Sequence, residues 1–297
     1  MSIEKALEKA NLADNLGVSN KSNSRVEESP VVSDSPESMG DFSALFGTEE
    51  NRDSNQPKSV EKFNWDYLHE NGFIDPSVGD MLIAEEFRSI KRPIMSNAIG
   101  GLEKGIERSN LILVTSSIPG EGKTFTAINL AISIAAERDK QVLLIDADVA
   151  KPSVSKVLGI KRTPGLIEYL ESNAIDFADI ILQTEISGLR IVPAGKGHQF
   201  STELLASNKM INLSRELSER YADRIVIFDS PPLLAATQAE VLSSLVGQVI
   251  LVIEAEKTAQ NIVMESVKKL EACDVVLALL NKTQRTMDMN YYGYGKY

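Results

Sequence analysis

The stretch Leu111 to Thr124, LILVTSSIPGEGKT, constrains this chain more than any other. Its apolar start reads as a buried strand, Pro119-Gly120-Glu121-Gly122-Lys123-Thr124 as a glycine-rich loop, and the following FTAINLAISIAAE as a helix. Such a loop leaves backbone N–H groups free to cradle phosphate oxygens, and the helix N-terminus adds its positive dipole end. Lys123 is then placed to reach β- and γ-phosphates, and the Thr124 hydroxyl to hold Mg²⁺. The usual spacing is G-x-x-x-x-G-K-[ST], and Ser117 stands at its first glycine position. The setting between strand and helix carries the assignment. Ser117, Pro119, Gly120, Glu121, Gly122, Lys123, Thr124 and Phe125 are therefore the candidate nucleotide contacts.

Composition narrows the class. The apolar and glycine-rich segments of the 297 residues begin only after about residue 80, which predicts one core of ~200 residues. A net charge of −11 argues against a nucleic-acid surface. The single cysteine, Cys273, excludes a disulfide within the chain and reads as a buried thiol. His69 and His198 lie far apart in loop-like settings, so no histidine-based metal site is expected. No apolar run approaches the ~20 residues that span a bilayer, and the start MSIEKALEKA lacks a signal-peptide core. The expectation is a cytoplasmic protein whose membrane role, if it has one, comes through a partner.

The chain divides into three parts. Residues 1–62 are expected to be largely disordered, because the stretch from about 17 is rich in Ser, Asn, Glu and Asp and poor in aromatic residues. Ahead of that stretch, Ile3, Ala6, Leu7 and Ala10 recur at helical spacing and predict a short helix over 2–12, either a frayed terminus or a docking helix. The folded domain is expected over 63–285, followed by a flexible tail, 286–297.

Within the folded part, LIAEEFRSIKR (82–92) predicts a helix ending before Pro93, since a residue preceding proline avoids helical geometry. Glu85, Arg88 and Lys91 then fall on one face, available to each other or to a neighbouring subunit. Strands are predicted at 141–146, 189–193, 224–229, 248–253 and 274–280, with helices over about 201–220 and 258–272. Apolar strands alternating with amphipathic helices indicate an α/β fold: a mostly parallel central sheet with helices on both faces, three layers in all. A ligand in such a sheet sits at the carboxyl ends of the strands.

Carboxylates occur at those ends. QVLLID leads into Asp146-Ala147-Asp148, and residues two apart point the same way if the chain stays extended. RIVIFD ends in Asp229, stopped by Ser230-Pro231-Pro232. An acidic residue beside a phosphate loop is placed to hold Mg²⁺. Asn281-Lys282-Thr283-Gln284 resembles the guanine-reading Asn-Lys-x-Asp motif, but Gln284 replaces the aspartate; the loss favours ATP, with Asn281 free for an adenine edge or for a capping bond. The last seven residues, YYGYGKY, hold Tyr291, Tyr292, Tyr294 and Tyr297. Tyrosines at that density beside an ATP site suggest a phosphorylation substrate; a sticky interaction tail is the other reading.

Together these motifs resemble the bacterial tyrosine autokinases, within the wider deviant P-loop ATPase superfamily of septum-positioning and partition proteins. The resemblance covers about residues 80–297: TSSIPGEGKT matches the first nucleotide motif, VLLIDADVAKP the second and IVIFDSPP the third. EEFRSIKRP, FTAINLAISIA and DADVAKPSVS look closest to the branch associated with exosortase and exopolysaccharide systems. The resemblance implies a P-loop NTPase fold, ATP and Mg²⁺, and autophosphorylation in trans on the tail within a ring of copies. It implies Glu85, Arg88 and Lys91 as the E-x-x-R-x-x-[RK] subunit contact. A membrane-embedded polysaccharide chain-length (co-polymerase) protein would be the activator. Lys123, Asp146 and Asp148 are the expected catalytic groups, and Thr124, Asp146 and Asp229 the metal ligands. Ala150 stands where many members carry Arg, with Lys151 next to it, and Ile118 where partition ATPases carry their signature Lys. The competing readings are a partition-type ATPase switch and a non-catalytic regulator with a tyrosine interaction tail.

Overall fold

The computed structural model describes residues 60–77, 81–160, 164–221 and 224–284. The expected helix over 2–12, nearly all of the disordered segment and the tail 286–297 lie outside the described residues. From the N-terminal side the elements are β1 (Val60–Glu61), α1 (Trp65–Glu70), α2 (Met81–Gly100), β2 (Leu111–Ser116), α3 (Lys123–Ala135), β3 (Gln141–Asp146), α4 (Val154–Leu158) and α5 (Leu166–Glu171). They continue as β4 (Leu182–Thr184), β5 (Leu189–Val192), α6 (Ser201–Leu205), α7 (Asn208–Glu219), β6 (Arg224–Asp229), α8 (Thr237–Ser243), β7 (Gln248–Glu254), α9 (Gln260–Lys269) and β8 (Val275–Asn281).

Strands that read as unbroken apolar runs occupy the middle of the sheet, where both faces need cover. The order is β1-β4-β5-β3-β6-β2-β7-β8, an eight-stranded sheet among the described residues. Every neighbouring pair is parallel except β4 with β5. All six residues of β2 are buried, and the strand contacts α3 as well as α7 and α8. This is the three-layer α/β arrangement expected. The core cluster runs from Ile112, Val114 and Leu144 in the strands to Ile128, Ile132 and Ile134 of α3 and Phe87 and Ile94 of α2. Among the described residues no helix is long and apolar enough to cross a membrane.

Helix α2 departs from its predicted end. It continues through Pro93 to Gly100. Proline lacks the N–H that would bond the carbonyl of Ser89, which ordinarily ends or bends a helix. Here Pro93 is exposed while Ile94 and Met95, on the turn beyond it, are buried in the core, so packing holds the helical path that propensity disfavours. The single helix predicted over 201–220 is two, α6 and α7. Ser207 separates them, its side chain accepting from Met210 N and starting α7. Cys273 is half-buried, its thiol 3.5 Å from the Ser243 carbonyl oxygen.

Candidate active site

Parallel register places the carboxyl ends of β2, β3 and β6 side by side. Val114 is level with Asp229, and Asp229 with Asp146. The chain leaves β2 and loops back into α3 across these ends. Gly122 stands at the start of α3 with φ 100°, and no side chain caps the helix. Its first-turn N–H groups therefore have no side-chain partner, the condition for binding an anion. A Cβ at Gly122 would collide with the amide nitrogen of Asn281, so the position has no room for a side chain.

Lys123 Nζ reaches across this opening to Asp148 Oδ2 at 2.7 Å and lies 3.9 Å from Asp229 Oδ1. The Thr124 hydroxyl donates to Asp229 Oδ2 at 2.7 Å. Asp146 Oδ2 accepts from the backbone N–H groups of Ser153 and Val154, at 3.2 and 3.1 Å, and so closes the N-terminus of α4. The two carboxylates expected to point the same way thus take different partners; the strand stops at Asp146 and the chain enters a turn at Val149 and Ala150. Asp148 lines a cavity of about 410 Å³ together with Gly122, Lys123, Thr124, Lys151 and Pro232. Asp146 and Asp229 sit behind it, both 0% exposed.

Electrostatics follow from that burial. Burial, with the neighbouring charge of Asp229, pushes Asp146 up to about 8. Burial also pushes Asp229 up to about 6, against the opposing pull of the Lys123 charge and the Thr124 hydroxyl. Burial alone would lower Lys123, but Asp229 and Asp148 outweigh it and hold the ammonium above its ordinary value. Asp146 Oδ1 and Asp229 Oδ1 are buried with no hydrogen-bond partner among the described residues. Two unsatisfied carboxylate oxygens beside a fixed hydroxyl fit a hard divalent cation. Among the described residues no three acidic, His or Cys side chains form a closed metal cage.

Other predicted residues have different partners. Glu121 turns inward: Oε2 accepts from Ile118 N at 2.8 Å, and Oε1 accepts from the Thr258 hydroxyl at 2.5 Å and Glu254 N at 3.3 Å. Its carboxylate braces the loop against the end of β7. Asn281 Nδ2 donates to the Glu121 carbonyl at 2.8 Å, and Lys282 Nζ to the Gly120 carbonyl at 2.7 Å. Ser117 Oγ is buried with no hydrogen-bond partner among the described residues. Thr258 and Lys282 were not legible in the sequence as parts of the loop's support, since each meets it across more than a hundred residues of chain. Of these partners only Asn281, at the end of β8, gave a signal, as an adenine contact or a capping residue.

On α2, Glu85 and Arg88 pair with each other at the surface, as the spacing allows. Lys91 does not join them. It is 7% exposed, donating to the Ser133 carbonyl at 2.7 Å and pairing with Glu137 at 2.9 Å. Within its own chain this lysine is tied to the end of α3, because that helix leaves its last carbonyls without partners. The four tail tyrosines lie outside the described residues.

Comparison with known proteins bears on this geometry. The AAA domain family matches residues 109–280. The chain is 32% identical over 216 residues to the tyrosine-protein kinase YwqD of Bacillus subtilis (strain 168), covering 71% of this chain and 87% of that protein. It is 34% identical over 181 residues to the tyrosine-protein kinase ptk of Acinetobacter johnsonii, covering 60% of this chain and 24% of that much longer one. The crystal structure of the VpsO kinase domain matches with a TM-score of 0.57 at 32% identity, over 68% of this chain and 97% of that domain. With the three nucleotide motifs now brought to one sheet edge around Lys123, the chain belongs to the bacterial tyrosine-protein kinases, built on an AAA-type P-loop domain.

Proposed function

We propose that this chain is an ATP- and Mg²⁺-dependent autokinase that phosphorylates Tyr291, Tyr292, Tyr294 and Tyr297 of a neighbouring copy, and so regulates exopolysaccharide synthesis or export. The observation that carries the reading is Lys123 held between Asp148 and Asp229 at an uncapped helix N-terminus. Lys123 exchanges Asp148 for phosphate oxygens when ATP enters, staying protonated because Asp229 and the negative phosphate hold its charge. Asp148 is then released to orient the incoming phenol and take its proton. The phenol oxygen bonds to the γ-phosphorus as the bond to the bridging oxygen breaks, and ADP leaves. The Thr124 hydroxyl and Asp229, with Asp146, would hold Mg²⁺, which would supply charge neutralisation on the phosphates. Asp146 is committed to the N-terminus of α4, which favours Asp148 as the group that meets the phenol. With a phenol pKa near 10, positioning and charge stabilisation count for more than base strength. The Asn281 Oδ1 atom remains for the amino group of adenine, since its Nδ2 is spent on the loop.

The family resemblance supports a ring of copies at the inner face of the membrane, activated by a membrane-embedded co-polymerase. Glu85 and Arg88 are the exposed pair suited to the subunit contact. Incubation with γ-labelled ATP and Mg²⁺, followed by mapping of modified residues, tests the proposal. Label is expected on the four tail tyrosines, and Lys123→Met is expected to abolish it. Absence of tail label, or unchanged labelling in the Lys123 variant, overturns the assignment.

A further inference from the structure

The cavity of about 410 Å³ is walled by the phosphate loop, by the turn between β3 and α4, and by Pro231 and Pro232 after β6. Lys123 lines it from the loop and Lys151 from the turn. The two lysines differ in their commitments. Lys123 lies between Asp148 and Asp229, its side chain 12% exposed. Lys151 is exposed, and the bonds described for it are made by its backbone. Its N–H is shared between Asp148 Oδ1 at 3.1 Å and the Asp148 carbonyl at 3.2 Å, and its own carbonyl accepts from the Ser153 hydroxyl at 3.0 Å. Pro152 follows and restricts the backbone further. The turn is therefore fixed, while the flexible stem of Lys151 carries its ammonium along the cavity wall.

Asp148 links the two lysines. Its Oδ2 takes the Lys123 ammonium at 2.7 Å and its Oδ1 the Lys151 N–H. A phosphate that replaces Asp148 as the partner of Lys123 must enter at the seam between the loop and the turn that bears Lys151. Lys123 then still shares its charge with Asp229, so it neutralises only part of that phosphate. During transfer the charge spreads over three equatorial oxygens, more than one lysine can meet. Ala150 lines the same wall and brings no charge. Lys151 does.

We propose that Lys151 is a second phosphate-binding cation of this site, its ammonium bonding the terminal phosphate of ATP from the turn side. The assignment rests on the ATP reading and adds a consequence to it. In ADP the terminal phosphate is the β-phosphate, which belongs to the loop N–H groups and Lys123. Lys151 then has no phosphate to bind, so it favours ATP over ADP. An exposed lysine acting only through its long-range field would strengthen both nucleotides alike.

Calorimetric titration of the full chain with Mg²⁺ and either the β,γ-imido analogue of ATP or ADP tests this without turnover. Lys151→Gln, and separately Lys151→Met, should weaken the analogue by on the order of tenfold and leave ADP binding unchanged. Lys151→Arg should restore most of the loss. Lys156→Gln removes an exposed lysine of α4 that does not line the cavity, and should change neither affinity. An unchanged Tm in every variant reports an intact fold, as expected for a residue whose described bonds are backbone ones. Equal weakening of both nucleotides overturns the proposal, because a field or a damaged turn then explains it. So does an analogue affinity that survives both Lys151 variants, or one that falls equally in Lys156→Gln. Tail labelling decides the kinase reading separately: a wild type that distinguishes the two nucleotides through Lys151 but never labels its tail loses the kinase assignment and keeps this one.

Discussion

Asp146 and Asp229 hold protons in the folded chain at pH values where unfolded carboxylates, near 3.8, have already lost them. The folded state therefore binds more protons than the unfolded state across this window, and stability must fall as pH rises through it. The window opens near 4 and closes near 8, the value to which burial and the Asp229 charge push Asp146. Scanning calorimetry of the nucleotide-free protein should show a Tm that declines from pH 5 to pH 8. Asp146→Asn removes the titrating group and should flatten most of that decline. Mg²⁺ with nucleotide should raise Tm more at pH 8 than at pH 5, because the charged carboxylates then have a cation to share. A wild-type Tm that is level across the window would show that the two buried oxygens are already compensated.

At the scale of elements, long and unbroken patterns were legible and short or contradicted ones were not. Strands β3 and β6 begin and end where the sequence puts them, since each is a six-residue run of continuous burial after its first position. The two-residue β1 and three-residue β4 are too short to show any period, and they are held by pairing with each other. Lys123, Thr124, Asp148 and Asp229 converge as the motifs imply. The brace of Glu121 against Thr258 could not be read, because nothing local at Thr258 marks it as a partner of a loop so distant in sequence. Lys91 is the opposite case, a residue whose motif suggests an exposed contact and whose bonds are internal. Replacing it with Met strips the Ser133 carbonyl and Glu137 of a buried partner and should cost about 1–3 kcal/mol in urea unfolding. Arg88→Ala, at an exposed pair, should cost less than about 1 kcal/mol and act on subunit association instead. Sedimentation of both variants separates the two roles: loss of oligomer in Lys91→Met at unchanged stability would return that lysine to the subunit contact. Pro93→Ala restores the missing N–H to an exposed helix position that already follows a helical path, so stability should rise by about 1–3 kcal/mol. A lower unfolding midpoint would mean that the ring itself contributes packing.

At the scale of the whole molecule, charge connects the reaction to the assembly. The chain carries −11 before any modification. Each phosphotyrosine adds nearly two further negative charges and three acceptor oxygens, so four modified tyrosines on the tail would add about seven. In the proposed ring, copies would bring these tails together, and the repulsion among them would oppose association. Phosphorylation should therefore dissociate the proposed ring. The repulsion acts between solvent-exposed groups, and its range is the Debye length, about 10 Å at 0.1 M salt and about 3 Å at 1 M. Sedimentation of protein incubated with ATP and Mg²⁺ should show smaller species at low salt, with the larger species regained as salt is raised and no change in the extent of label. Glu at the four tyrosine positions should mimic the low-salt behaviour in weaker form, since each glutamate brings one charge where phosphate brings nearly two. A tail of four glutamates that stays fully oligomeric at low salt would disconnect charge from assembly and leave contact geometry, through Glu85 and Arg88, as the determinant of ring size.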